Sequence, residues 1–103
     1  MMKTEIPKNG LHIEYFDNGQ KKSEGNYNDF DQVGKWTFWY ENGQKESEGN
    51  YEDGGKWTEW YENGQKKSEG KYNYIDKDGK WTFWYENGQK ESEGNYEICE
   101  EYI

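Results

Sequence analysis

Twenty-two acidic residues in a chain of 103 raise first the question of a carboxylate pair or a cation site. General acid–base work needs two carboxyl groups whose surroundings push their pKa values apart inside a concave site. Glu24, Glu48, Glu69 and Glu93 are instead copies of one surface position, which points to a solvated row. Asp76-Lys77-Asp78-Gly79 opens like a calcium loop but lacks the third acidic ligand and the distal Glu. Turn chemistry accounts for it. One Cys and one His exclude an internal disulfide, a Cys/His zinc site and a triad with a base to spare. His12 reads as a substituted packing residue. Cys99, after the last repeat, reads as a small hydrophobe on a terminal strand. No catalytic residue, cofactor site or metal site is expected.

Stepping from side chains to scaffold, the apolar content is 29%, and Phe 4, Trp 6 and Tyr 10 supply most of it. With neither Ala nor Arg and few aliphatic residues, a helical bundle has nothing to fill its core. No stretch approaches the roughly 20 apolar residues that span a bilayer. Met1 to Gly10 holds no apolar leader segment, so the expected location is cytoplasmic, a removed signal being left open. A net charge of −9 and a mean hydropathy of −1.62 resemble a disordered chain, but such chains are poor in aromatics. Here aromatics reach 19%. A folded sheet protein is expected.

The chain is a repeat. Trp36-Thr37-Phe38-Trp39-Tyr40-Glu41-Asn42-Gly43-Gln44-Lys45 recurs almost letter for letter at Trp57 to Lys66 and at Trp81 to Lys90, after a worn copy from His12 to Lys21. The whole, 1–103, reads as a single domain with repeats near 10–27, 34–51, 55–72 and 79–96 and a tail over 97–103. Length differences fall only between one repeat's last Tyr and the next Gly-Lys-Trp, as at Asn28 to Val33, which predicts a surface loop.

Each unit predicts a β-hairpin, because an aromatic and Thr-rich run meets Asn-Gly, the strongest signal for a two-residue type I′ turn. That turn would place Tyr40 opposite Lys45, Trp39 opposite Glu46, Phe38 opposite Ser47 and Trp36 opposite Gly49. It likewise sets Trp57 against Gly70, Trp81 against Gly94 and His12 against Gly25, each ring lying across the bare glycine of its own hairpin. Alternation then makes an aromatic face of Trp36, Phe38, Tyr40, Lys45, Ser47, Gly49 and Tyr51. The acidic face carries Thr37, Trp39, Glu41, Gln44, Glu46 and Glu48. Lys21, Lys45, Lys66 and Lys90 are expected to cover Phe16, Tyr40, Tyr61 and Tyr85 with their stems. The fold class is all-β: repeated hairpins in a single antiparallel meander, an open solenoid. Strands are expected near 11–17, 20–27, 35–41, 44–51, 56–62, 65–72, 80–86 and 89–96.

Gly34, Trp36, Trp39, Tyr40, Asn42, Gly43, Glu48, Gly49 and Tyr51, with the matching residues of Gly55 to Tyr72 and Gly79 to Tyr96, resemble MORN repeats. The resemblance is to the bacterial variant of YwqK-type antitoxin proteins. It implies a hairpin scaffold for protein contacts, in some members antitoxin or immunity activity, and no catalytic residues. The period and the aromatics before Asn-Gly are also similar to choline- and glucan-binding repeats, which would imply aromatic cages between hairpins.

A −9 chain without Arg presents the wrong field for phosphate, so direct nucleic-acid binding is not expected. The same field suits a protein partner with a basic, nucleic-acid-binding groove. The expected function is a non-catalytic binding module, an acidic inhibitor of a bacterial effector in the manner of antitoxin, immunity or anti-CRISPR proteins. The alternative is a surface glycan- or choline-binding module. The candidate contact residues are Tyr15, Trp39, Trp60 and Trp84 as a ridge, flanked by Glu48, Glu69 and Glu93. The plainer role for these indoles is to lie flat on their own sheet, and the plainer role for the charge is solubility. Two open sheet edges further suggest a homodimer, or a terminal segment folded over the aromatic face.

Overall fold

Aromatic and Thr-rich runs alternate with Lys, Ser and Glu-rich runs, and each of these becomes one strand. The computed structural model describes residues 6–52, 55–73 and 76–97. It contains β1 (Gly10–Tyr15), β2 (Lys21–Asn28), β3 (Asp31–Trp39), β4 (Lys45–Asn50), β5 (Lys56–Trp60), β6 (Lys66–Asn73), β7 (Asp76–Trp84) and β8 (Lys90–Tyr96). They form one eight-stranded sheet in chain order, every neighbouring pair antiparallel. The all-β meander expected from the repeat is the observed architecture. No helix among the described residues is long and apolar enough to cross a membrane. Cys99 and the tail beyond Glu97 lie outside the described residues.

The hairpin turns differ from expectation. Gly43 N–H donates to the Tyr40 carbonyl at 3.0 Å, and Tyr40 N–H donates to the Gln44 carbonyl at 2.8 Å. Gly43 has φ 91° while Asn42 is not among the positive-φ residues, so the loop is Glu41-Asn42-Gly43. That is a type I turn closed by a left-handed glycine, not the type I′ turn that needs two positive φ values. The extra loop residue shifts register by one. A bulge between Phe38 and Trp39 shifts it back, so that Trp39 pairs with Lys45, Phe38 with Ser47 and Trp36 with Gly49. The same bulge recurs in β1–β2, β5–β6 and β7–β8. The two deviations cancel beyond the bulge, which is why the expected Trp–Gly register holds.

The primed turn sits elsewhere. Asp29 (φ 53°) and Phe30 (φ 69°) form the two-residue connection between Asn28 and Asp31, which are paired. The expected surface loop at Asn28 to Val33 is therefore mostly strand, lengthening β2 and β3. Asp76, Lys77 and Asp78 are likewise strand residues of β7, paired with Asn73, Tyr72 and Lys71.

One face carries the apolar contacts. His12, Tyr27, Trp36, Tyr51 and Trp57 follow one another edge to face with centroids 5.0–6.3 Å apart, the favoured aromatic geometry. Tyr72 and Trp81 repeat it at 5.0 Å. Trp36 (1% exposed) and Trp81 (2% exposed) are the buried core.

The glycines tie one repeat to the next rather than closing their own hairpin. The indole of Trp36 lies over Gly25, that of Trp57 over Gly49 and that of Trp81 over Gly70. Each indole N–H then donates to the carbonyl just beyond that glycine: Trp36 to Asn26 at 3.0 Å, Trp57 to Asn50 at 3.1 Å and Trp81 to Lys71 at 2.8 Å. The expectation that each ring covers the glycine of its own hairpin is thus corrected. Backbone pairing is as expected, but the ring leans toward the preceding repeat. Gly94, last in the series, has nothing among the described residues near the place a Cβ would occupy.

Candidate functional site

On the opposite face each of the last three repeats places one carboxylate under a threonine and two lysines, whereas Glu24 of the first repeat meets, among the described residues, Lys21 alone at 2.7 Å. Thr37 donates to Glu48 at 2.7 Å, Thr58 to Glu69 at 3.0 Å and Thr82 to Glu93 at 3.2 Å. Lys35 (3.5 Å) and Lys45 (3.0 Å) flank Glu48; Lys56 and Lys66 flank Glu69 at 3.5 and 3.1 Å; Lys80 and Lys90 flank Glu93 at 3.1 and 3.2 Å. Partial burial pushes the Glu48 and Glu69 carboxyls upward. For Glu48, bonds from Thr37 and Lys45 and the charges of Lys45 and Lys35 outweigh burial; for Glu69, Lys66, Thr58 and the charges of Lys66 and Lys56 do so. Both end below the ordinary carboxylate range. Glu93 is lowered by its bonds to Lys80 and Lys90. The expected acidic row is locally neutralised.

A depressed carboxyl pKa makes folding pH-dependent in one direction. The stabilisation is fully present above the unfolded carboxyl pKa of about 4.3 and is lost as pH falls through the lower folded value. Thermal melts should therefore show a Tm that falls on acidification through and below the carboxylate range. Glu48→Gln should flatten part of that fall. A Tm independent of pH there would contradict the clamp.

The same lysines reach the Trp ridge. Lys21 stands over Trp39 at 5.8 Å, Lys45 over Trp60 at 5.8 Å and Lys66 over Trp84 at 5.7 Å, inside the range for cation–π attraction. Each lysine thus bonds the glutamate of its own repeat and covers the indole of the next. The expectation that Lys21, Lys45 and Lys66 cover Phe16, Tyr40 and Tyr61 is corrected by the bulge, which turns them to the other face. Lys22 and Lys67, the bulge residues, cover Phe16 (5.8 Å) and Tyr61 (5.7 Å) instead. Trp39, Trp60 and Trp84 are half-buried, while Tyr15 at the end of their row is 58% exposed.

Uncompensated charge lies along the turns, a feature the face-by-face reading missed. Asp17, Glu41, Glu62 and Glu86 are all exposed, and no ion pair involves them among the described residues. The turns are stacked by side-chain amides. Asn18 donates to the Glu41 carbonyl at 3.0 Å, Asn42 to that of Glu62 at 3.0 Å and Asn63 to that of Glu86 at 2.8 Å. Their Oδ1 atoms meanwhile accept from the backbone two residues on, at 2.9 Å. Tyr40 and Tyr61 add hydroxyl bonds to the Trp60 and Trp84 carbonyls at 2.7 and 2.8 Å. Burial first, and then the charges of Glu46, Glu62 and Glu59, push the Tyr40 phenol above its ordinary pKa. The only sequence signal for this row was Asp or Glu before every Asn-Gly.

Glu41 and Glu62 of that row line an open groove of about 470 Å³, together with Phe16, Phe38, Trp39 and Tyr40, a further carboxylate, Glu46, and one ammonium group, Lys22. No group of three or more His, Cys, Asp or Glu side chains among the described residues could hold a metal ion. The arrangement offers apolar contact flanked by negative charge, with no acid–base pair set apart in its own cavity.

A family model described as a MORN repeat variant matches residues 8–29, 32–53, 54–74 and 77–97. No curated protein and no solved structure matches the chain significantly.

Proposed function

We propose, because this chain belongs to the MORN repeat variant family, that it is a non-catalytic module that binds a protein partner. MORN repeats are in general binding modules, and the Thr, Glu, Lys and Asn side chains repeated on the strands and turns bond to one another or to the backbone of the stack. The finer reading is an acidic inhibitor of a bacterial effector, such as a toxin or nuclease with a basic groove. The observation that carries it is the exposed carboxylate row of Asp17, Glu41, Glu62 and Glu86, unpaired among the described residues, two of which, Glu41 and Glu62, line an aromatic groove. Charge of this kind speeds association and is read as salt sensitivity.

Tyr15, Trp39, Trp60 and Trp84 supply further apolar contact, with Trp39 itself lining the groove. Glu48, Glu69 and Glu93 contribute position more than field, since two lysines hold each of them. The glycan- or choline-binding alternative gains no support from the indoles of this ridge, because ammonium groups of the protein itself already lie over them.

The test is capture of partners by the immobilised full chain, at low and high salt. A protein held at low salt and released at high salt is expected. Its binding should be lost when Asp17, Glu41, Glu62 and Glu86 are replaced together by Asn and Gln, with the fold intact. Retention on choline or cell-wall resin, without a protein partner and without effect of those substitutions, would overturn the proposal.

A further inference from the structure

The second and third internal junctions of the stack are made by the same groups. The first lacks only the hydroxyl, because Phe16 replaces the tyrosine. Among the described residues the last repeat carries that set with nothing to engage. Inside the stack a repeat sends forward a Tyr hydroxyl, an Asn amide and a Lys ammonium, and offers a bare glycine for the next indole. In the fourth repeat the corresponding groups are Tyr85, Asn87, Lys90 and Gly94. Among the described residues Tyr85 is 51% exposed, and neither its hydroxyl nor the Asn87 amide finds an acceptor. Among the described residues Lys90 covers no ring, and the outer edge of β8 has no strand partner.

The receiving half of the junction stands at the opposite end. β1 aligns residue for residue with β3, placing His12 at the position of Trp36, Tyr15 at that of Trp39 and Asp17 at that of Glu41. Its outer edge is unpaired among the described residues, and its Leu11 and Tyr15 are exposed. The free edge of β1 is therefore the edge that β3 and β7 present to the preceding repeat.

We propose that β8 takes β1 of a second copy of this chain as its next strand, so that molecules stack head to tail in register with their own repeat. Tyr85 and Asn87 donate to the carbonyls of Tyr15 and Asp17 in the second copy. Lys90 covers its Tyr15 ring, and its His12 lies over Gly94. Such an interface is heterologous, so copies add one after another unless a ring closes. Both surfaces belong to a chain of charge −9, so screening by salt strengthens the contact. Salt has the opposite effect on binding to a basic partner, so the two ideas stand or fall separately.

Sedimentation and light scattering of the full chain, from micromolar to millimolar protein at low and high salt, test this. The expected result is a mean mass that rises with concentration beyond a dimer, more so at high salt. Gly94→Ala meets none of the described residues of its own chain but obstructs the arriving strand, and should weaken association about tenfold or more. The double variant Tyr85→Phe, Asn87→Asp should do the same without touching the sheet interior. A chain monomeric throughout, a mass that stops at two copies, or association indifferent to both variants would overturn it. So would polymerisation seen only after removal of residues 98–103, which would assign the edge to the chain's own tail.

Discussion

Gly70→Ala is expected to destabilise the sheet by about 3 kcal/mol, whereas Gly94→Ala, in the same Ser-Glu-Gly context, is expected to be neutral or stabilising by about 0.5 kcal/mol. A Cβ on Gly70 would fall inside the indole of Trp81, against ring atoms fixed at the base of the side chain. That ring cannot swing away without losing its bond to the Lys71 carbonyl and its packing on Tyr72. Gly25 and Gly49 are held under Trp36 and Trp57 in the same way. At Gly94 nothing among the described residues lies within contact distance, so a methyl group only reduces the freedom of the unfolded chain. Urea unfolding of dilute protein, with midpoints compared at constant slope, separates the two. Equal losses at Gly70 and Gly94 would mean that the glycines serve their own hairpins after all.

Trp36→Ala is expected to cost about 3–5 kcal/mol, a large share of the roughly 5–15 kcal/mol that holds a small domain folded. The ring, 1% exposed, is one of the two fully buried large side chains among the described residues. It touches Tyr27, Phe38 and Tyr51, and its removal would uncover Gly25. Trp36→Phe keeps much of that packing but loses the indole bond to Asn26, for a further comparison near 1 kcal/mol from the hydrogen bond. Trp39→Ala, on a half-buried position of the other face, should cost clearly less than Trp36→Ala. Denaturant melts of these variants give the ranking, and an inverted order would contradict the assignment of the core to the aromatic face.

The fold was legible because one signal was repeated four times. The Asn-Gly spacing and the coincidence of Trp with Gly point to the same hairpin in each copy, and the observed backbone register agrees. The turn type was not legible, because Asn-Gly suits both a type I′ turn and the last two positions of a type I turn with a left-handed glycine. Choosing between them by one residue reverses the face of Lys45 and Glu46, and with it the partners of four lysines. A bulge leaves no mark in composition when the displaced residue is a lysine, whose stem tolerates either face. The direction in which Trp36 leans was hidden for a different reason. A strand has two neighbours, and sequence spacing specifies only the one joined by the turn.

The candidate surface shows the same division. The ridge of Trp39, Trp60 and Trp84 follows from alternation on the strands. The neutralisation of Glu48, Glu69 and Glu93 does not, because it depends on lysines brought over by the bulge and across the strand pair. The exposed row at Asp17, Glu41, Glu62 and Glu86 could have been found by asking which acids never approach a lysine in the hairpin register.

Hydrogen exchange of the six tryptophan indole N–H groups, followed by NMR, tests most directly whether the repeats are locked each to the next. Trp36, Trp57 and Trp81 donate to backbone carbonyls of the preceding repeat and should be protected. Trp39, Trp60 and Trp84 make no such bond among the described residues and should exchange fast. Six indoles exchanging alike, or protection confined to Trp39, Trp60 and Trp84, would contradict the inter-repeat lock.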